Sequence, residues 1–154
     1  MKIFAKLFFL LIVTAGNAYA APRAVEYFQV TSWAKFQSDL PKPHVVVFST
    51  TDCGHCPDVI IQVSKTIKSY KEKVYLSVVV MDGLSHEDYL LSAPHYLMAD
   101  RIFAFKGQVN AIKHSVNPSW RGLTPYVALL PQKGEVMYVL GKPSNKDISI
   151  LNGF

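Results

Sequence analysis

Two cysteines three positions apart, Cys53-Gly54-His55-Cys56, constrain this chain more than any other feature. They are its only cysteines. Before them stands His44-Val-Val-Val-Phe-Ser49, β-branched and nearly all apolar, which predicts a strand buried on both faces. Thr50-Thr51-Asp52 breaks that run with residues that favour helix N-caps. After them Val59, Ile60, Val63 and Ile67 recur at helical spacing, with Lys65, Lys68, Lys71 and Lys73 toward the far end, where cations suit the helix dipole. Pro57 falls in the predicted first turn, where its missing N–H costs nothing. The pair is therefore predicted at the N-terminus of a helix leaving a buried strand, where the dipole and the free amides stabilise a thiolate. A bond across so short a loop contributes little as a structural staple. A zinc site needs about four ligands, and no second cysteine pair completes one. A redox pair remains, with Cys53 as the exposed attacking sulfur and Cys56, one turn in, as the resolving one.

The compartment follows from the first twenty residues. Lys2 and Lys6 precede and flank an apolar run through Val13, and Ala18-Tyr19-Ala20 is a small-x-small site. That order predicts a secretory signal peptide, residues 1–20, cleaved after Ala20. Ile3 to Val13 is 11 residues, too short for the roughly 20 that span a bilayer. Export brings the two cysteines into an oxidising compartment, where paired thiols become disulfides. Without Lys2 and Lys6, the 16 basic residues become 14 against 11 acidic, a net charge of +3. Charge so small and so scattered favours neither nucleic acid nor a membrane surface. With 50% hydrophobic and 18% charged residues, the remaining 21–154 predict one ordered domain rather than a disordered chain.

Around the motif the pattern alternates. Glu26 to Val30 reads as a short strand and Thr31 to Leu40 as a helix with Trp33 and Phe36 inward, stopped by Pro41-Lys42-Pro43. Val74 to Met81 is a second buried strand, ended by Asp82-Gly83. Ser85-x-x-Asp88 predicts a capping box opening helical turns to about Phe103, interrupted near Pro94. Residues 104–123 give no clear pattern. Tyr126 to Leu130 and Glu135 to Leu140 flank Pro131-Gln-Lys-Gly134, a predicted hairpin. Ser144-x-x-Asp147 caps a last short helix. The result is an α/β chain with parallel pairing at the front and an antiparallel edge at the back.

Strand, Cys-Gly-His-Cys, helix and then Thr124-Pro125 opening a hairpin resembles the thioredoxin fold across residues 26–152. The resemblance implies a central mixed sheet flanked by helices, with a helical insertion at about 84–120. It further implies a cis peptide at Thr124–Pro125 facing the dithiol and lining the site where a substrate strand docks. Cys-Gly-His-Cys is similar to the active-site motif of protein disulfide isomerases. The segment from Arg121 to Leu130, followed by Lys133-Gly-Glu-Val136, resembles exported thioredoxins of cytochrome maturation, as does the long interval, 72 positions, from Cys53 to Pro125. Two departures stand out: Asp52 occupies the place of the usual tryptophan, and Val47 the place of a buried acid that moves protons. A carboxylate beside a thiolate opposes the helix dipole.

The resemblance implies a periplasmic thiol–disulfide oxidoreductase with no cofactor beyond the Cys53–Cys56 disulfide. Its partners would be protein thiols and disulfides of exported proteins and a membrane redox partner. His55, with Gly54 between the cysteines, would tune the Cys53 thiolate when protonated. Val47 and Asp52 motivate a second reading, a non-enzymatic binding module of a secretion or surface assembly. A third is Cu(I) delivery by the dithiol with Asp52, His55 and Asp58. His44, His86, His95 and His114 lack metal-ligand spacing and read as surface or capping residues. Trp33 and Trp120 read as core, Trp120-Arg121 having the docking groove as its alternative.

Overall fold

The computed structural model describes residue 22 and residues 24–152. The predicted signal segment lies outside them. One six-stranded sheet organises the chain, in the order β1-β4-β3-β2-β5-β6. Its strands are β1 (Val25–Phe28), β2 (His44–Ser49), β3 (Tyr75–Val80), β4 (Arg101–Phe105), β5 (Tyr126–Leu130) and β6 (Met137–Leu140). β1, β4, β3 and β2 run parallel; β5 lies antiparallel to β2 and β6 antiparallel to β5.

β2 sits at the centre with every residue buried, as its unbroken apolar run requires. The pleat sends its alternate side chains to opposite layers. Val45 and Val47 join Val59, Ile60 and Val63 of helix α2 (Cys56–Lys68), together with Val78, Tyr96 and Ile148. Val46 and Phe48 join an aromatic layer with Phe28, Phe103, Phe105 and Tyr126. Trp33 and Phe36 of α1 (Ser32–Asp39) and Ile112 and Val116 of α4 (Val109–Val116) cover that second layer. In it Trp120 stacks on Tyr126 at 4.8 Å and Tyr126 on Tyr138 at 5.6 Å. Tyr138 accepts a hydrogen bond from Trp33 Nε1 at 3.1 Å and donates to the Val116 carbonyl at 2.8 Å.

Several local expectations are corrected. The helical turns expected to reach Phe103 stop early: α3 is only Glu87–Leu90, a 3₁₀ turn follows at Tyr96–Met98, and Arg101–Phe105 is β4, a sheet strand between β1 and β3. Asp100 sets its start: its N–H donates to the Leu76 carbonyl at 2.8 Å, and its carboxylate accepts from Leu76 N–H at 2.8 Å. The segment expected as a helical insertion, about 84–120, thus holds α3 and α4 and contributes β4 between them. Ser85-x-x-Asp88 forms no capping box, because the Ser85 hydroxyl turns back to the Asp82 carbonyl and to His86. The Ser144–Asp147 box does form at the start of α5 (Asn145–Ser149). His44, expected at the surface, is buried at the start of β2, bonded to Ser77 and to the Pro41 carbonyl. The Lys42–Pro43 peptide is cis, as is Thr124–Pro125.

Candidate active site

β2 delivers the chain to its carboxyl end at Ser49, and residues 50–55 turn it into α2. The turn is held by its own backbone: Cys53 N–H donates to the Thr50 carbonyl at 3.3 Å and Cys56 N–H to the Cys53 carbonyl at 3.2 Å. Cys56 opens α2, His55 stands at its cap position and Pro57 in the first turn. Asp58 lies in that turn and Lys65 and Lys68 in the last, both charges matched to the dipole. Cys53 and Cys56 are joined as a disulfide, S–S 2.05 Å with Cα atoms 5.4 Å apart. Cys56 is 1% exposed, whereas Cys53 is partly open and Gly54 and His55 are exposed. An incoming sulfur therefore reaches Cys53 first, and Cys56 is sheltered in the position of a resolving group.

Gly54 is not glycine for the sake of its backbone. A Cβ there would meet nothing within 4 Å and its φ is not left-handed. What the missing side chain leaves is open space at the dithiol turn.

Across from the dithiol turn lies the loop before β5. Its Thr124–Pro125 peptide is cis, and the Thr124 and Thr50 hydroxyl oxygens are 3.5 Å apart. Trp120 Nε1 donates to the Leu123 carbonyl at 2.9 Å, and Gly141 N–H to the Pro125 carbonyl at 2.8 Å, so the loop is tied at both sides. Trp120 is thus a buried residue that also holds the cis-proline loop. Between the two loops runs a groove of about 490 Å³, with His55, Asp58 and Val59 on one wall and Thr124, Pro125 and Leu140 on the other. Leu123 and Leu140, 61% and 57% exposed, give its rim an apolar character, with Lys142 beside them.

The third side of the turn was not found from the sequence. Asp82, at the carboxyl end of β3, accepts from Thr51 N–H at 2.9 Å and also from the Thr51 hydroxyl. The available signal was its place, since the carboxyl ends of parallel strands gather ligand-facing residues. Tyr96, in the 3₁₀ turn packed against α2, is buried, and burial pushes its phenol above the usual range. Val47 is fully buried in the apolar layer under α2, and Asp52 is exposed. His86 and His114 are exposed and His95 is half-buried; His86 meets Ser85 Oγ and the Asp82 carbonyl, and the His95 ring packs against Tyr89 and Tyr96. Among the described residues no group of three or more His, Cys, Asp or Glu side chains is arranged to hold a metal ion, and no helix is long and apolar enough to cross a membrane.

A mixed sheet flanked by helices, with a dithiol turn leading from the central strand into a helix and a cis-proline loop beside it, defines a thioredoxin-like fold. Among solved structures the chain is similar to a thioredoxin-related protein from Neisseria meningitidis serogroup B, with 19% identity and a TM-score of 0.54, over 73% of this chain and 84% of that one. No protein-family model and no curated protein matches the sequence.

Proposed function

We propose that the protein is a periplasmic thiol–disulfide oxidoreductase that exchanges disulfides with exported proteins through Cys53 and Cys56. The observation that carries this is the placement of a closed, half-sheltered cysteine pair at the head of α2, sharing one groove with the cis Thr124–Pro125 loop. A structural disulfide has no need of a sulfur open to solvent, nor of a docking groove beside it. In the reducing direction the Cys53 thiolate attacks a substrate disulfide, a mixed disulfide forms at Cys53, and Cys56 displaces the substrate. In the oxidising direction a substrate thiolate attacks Cys53 and the same intermediate forms. A cationic His55 favours the thiolate and hence the oxidising direction. The signal peptide predicted for residues 1–20 supports the periplasm, and a membrane redox partner would renew the dithiol or disulfide.

Replacing Cys56 by Ala removes the resolving sulfur. Cys56→Ala protein expressed with its signal segment is expected to accumulate mixed disulfides with periplasmic proteins, seen as reducible bands that Cys53→Ala abolishes. An absence of such adducts would overturn the proposal. Retention of cellular function by the double Cys53→Ala, Cys56→Ala variant would favour the binding-module reading instead. The direction is read from the reduction potential: about −120 to −180 mV marks a disulfide donor or isomerase, about −270 mV a reductase.

A further inference from the structure

β2 has β5 on one side and β3 on the other, so the dithiol turn that leaves it has two neighbours. The loop before β5 carries the cis-proline. The loop after β3 is fastened to the turn directly: Met81 N–H donates to the Ser49 carbonyl at 2.9 Å, and the Asp82 carboxylate accepts at 2.9 Å from the N–H of Thr51, two residues before Cys53. Its ends are pinned beneath. Gly83 and Leu90 are both buried, and a Cβ on Gly83 would stand 2.8 Å from Leu90 Cδ1 and 3.0 Å from Ala104 Cβ, so the loop lies hard against β4.

Between those anchors every residue from Leu84 to Tyr89 is exposed. The run opens and closes with large apolar side chains, Leu84 at 41% and Tyr89 at 45% exposure, on two turns packed against each other, the 3₁₀ turn Gly83–Ser85 and α3. One exposed leucine alone has no meaning. Here two apolar side chains stand on a pinned loop beside the dithiol, and the charge around them has one sign. No Lys or Arg occurs from 43 to 64 or from 74 to 100, in a chain that holds 16 of them. Asp52, Glu87 and Asp88 are exposed on the turn and the loop, and the one basic side chain in the run, His86, has its Nδ1 on the Asp82 carbonyl at 3.1 Å. The cis-proline groove differs, because Asp58 and Lys142 both line it and balance its charge.

We infer that the loop from Asp82 to Tyr89 is a second docking surface of the dithiol, fitted to a protein partner whose reactive cysteine lies among apolar and cationic side chains. The inference rests on the oxidoreductase function proposed above. Leu84 and Tyr89 supply the apolar contact, and Glu87 and Asp88 attract the partner's Lys or Arg, which raises the rate of encounter and selects against acidic chains. A partner seated here approaches Cys53 from the β3 side, opposite the groove. The bonds from Asp82 to Thr51 keep the surface in register with the sulfur it serves.

The probes are two synthetic peptides, each with one cysteine held as a mixed disulfide with 5-thio-2-nitrobenzoate, flanked by Leu and Arg in one and by Leu and Glu in the other. The Cys53 thiolate of the fully reduced protein attacks the peptide sulfur. The Cys53–peptide bond forms, the bond to thionitrobenzoate breaks, and that sulfur leaves with the electron pair as a coloured thiolate. Dipyridyl disulfide, small and neutral, is the reference, and each peptide rate is divided by it so that changes in thiol reactivity cancel. The wild-type protein is expected to favour the Arg peptide on the order of tenfold at low salt, with the preference shrinking as salt is added. Glu87→Gln with Asp88→Asn should reduce that preference severalfold, and Leu84→Ser with Tyr89→Ser should slow both peptides severalfold. Equal wild-type rates with the two peptides would overturn the inference. So would a preference that survives Glu87→Gln with Asp88→Asn, or peptide rates that Leu84→Ser with Tyr89→Ser leaves unmoved, because docking would then lie on the groove side alone. A wild-type protein that does not react with dipyridyl disulfide at all would overturn the oxidoreductase proposal itself.

Discussion

Acidification below pH 6.5 is expected to weaken the fold through one side chain, His44. It lies 1% exposed at the start of β2, its Nδ1 3.2 Å from the Pro41 carbonyl and its Nε2 2.9 Å from Ser77 Oγ. A carbonyl only accepts, so Nδ1 carries the proton and Nε2 accepts from the Ser77 hydroxyl, which satisfies a neutral ring. Burial is the main cause that lowers its pKa from 6.5 to about 4; the Pro41 bond and Asp100 oppose that shift. Between those values the unfolded chain binds a proton that the native state refuses, so stability rises with pH there. The full contribution is present above pH 6.5 and is lost as pH falls toward 4. At about 1.4 kcal/mol per pH unit, that window amounts to about 3 kcal/mol. Urea unfolding of the oxidised protein, followed by far-ultraviolet circular dichroism at pH 7.5, 6, 5 and 4.5, measures it. His44→Gln removes the titration, and its stability is expected to fall less steeply with pH by roughly 1 kcal/mol per unit. Parallel pH dependences in the two proteins would refute the reasoning, whatever their absolute stabilities.

Other substitutions test the site and the packing behind it. Gly54→Ala should fold with stability equal to or above wild type by up to about 1 kcal/mol, because a Cβ meets nothing there, yet exchange more slowly with protein disulfides than with small ones. Equal slowing, or none, would mean that partners do not approach over Gly54. Gly83→Ala should cost about 1–3 kcal/mol in urea unfolding, since its Cβ would stand 2.8 Å from Leu90 Cδ1 and 3.0 Å from Ala104 Cβ. Tyr138→Phe should cost about 1–3 kcal/mol in urea unfolding by leaving Trp33 Nε1 and the Val116 carbonyl without their partner, with the rate of thiol–disulfide exchange unchanged.

What the sequence made legible is what local pattern decides. β2 and β3 announce themselves as near-continuous apolar runs, and α2 by its periodicity and the residues at its start. The Ser144–Asp147 box reads directly because its hydrogen bonds are local. β4 does not: Arg101-Ile-Phe-Ala-Phe105 is as compatible with a helix as with a strand, and the pairing of Asp100 with Leu76, 24 residues away, decides. α4 starts without a side-chain cap and was hidden for that reason. His44 heads a β-branched run like any edge residue would, and its burial depends on Ser77, 33 positions on. Within the site, the cysteine pair and the cis-proline loop carry sequence marks, whereas Asp82 is brought to the turn only by the topology.

The aromatic layer on the far side of β2 has an optical consequence. Both tryptophans belong to it, and each indole N–H is spoken for: Trp33 by Tyr138, deep in the layer, and Trp120 by the carbonyl of Leu123 in the cis-proline loop. Where a tryptophan beside the first cysteine would have its emission quenched by the neighbouring sulfurs, this chain has Asp52. Its intrinsic fluorescence is therefore set by the aromatic layer, and with Trp33→Phe in the background the remaining indole becomes a built-in lamp on the cis-proline loop, whose brightness reports any change in that loop's surroundings.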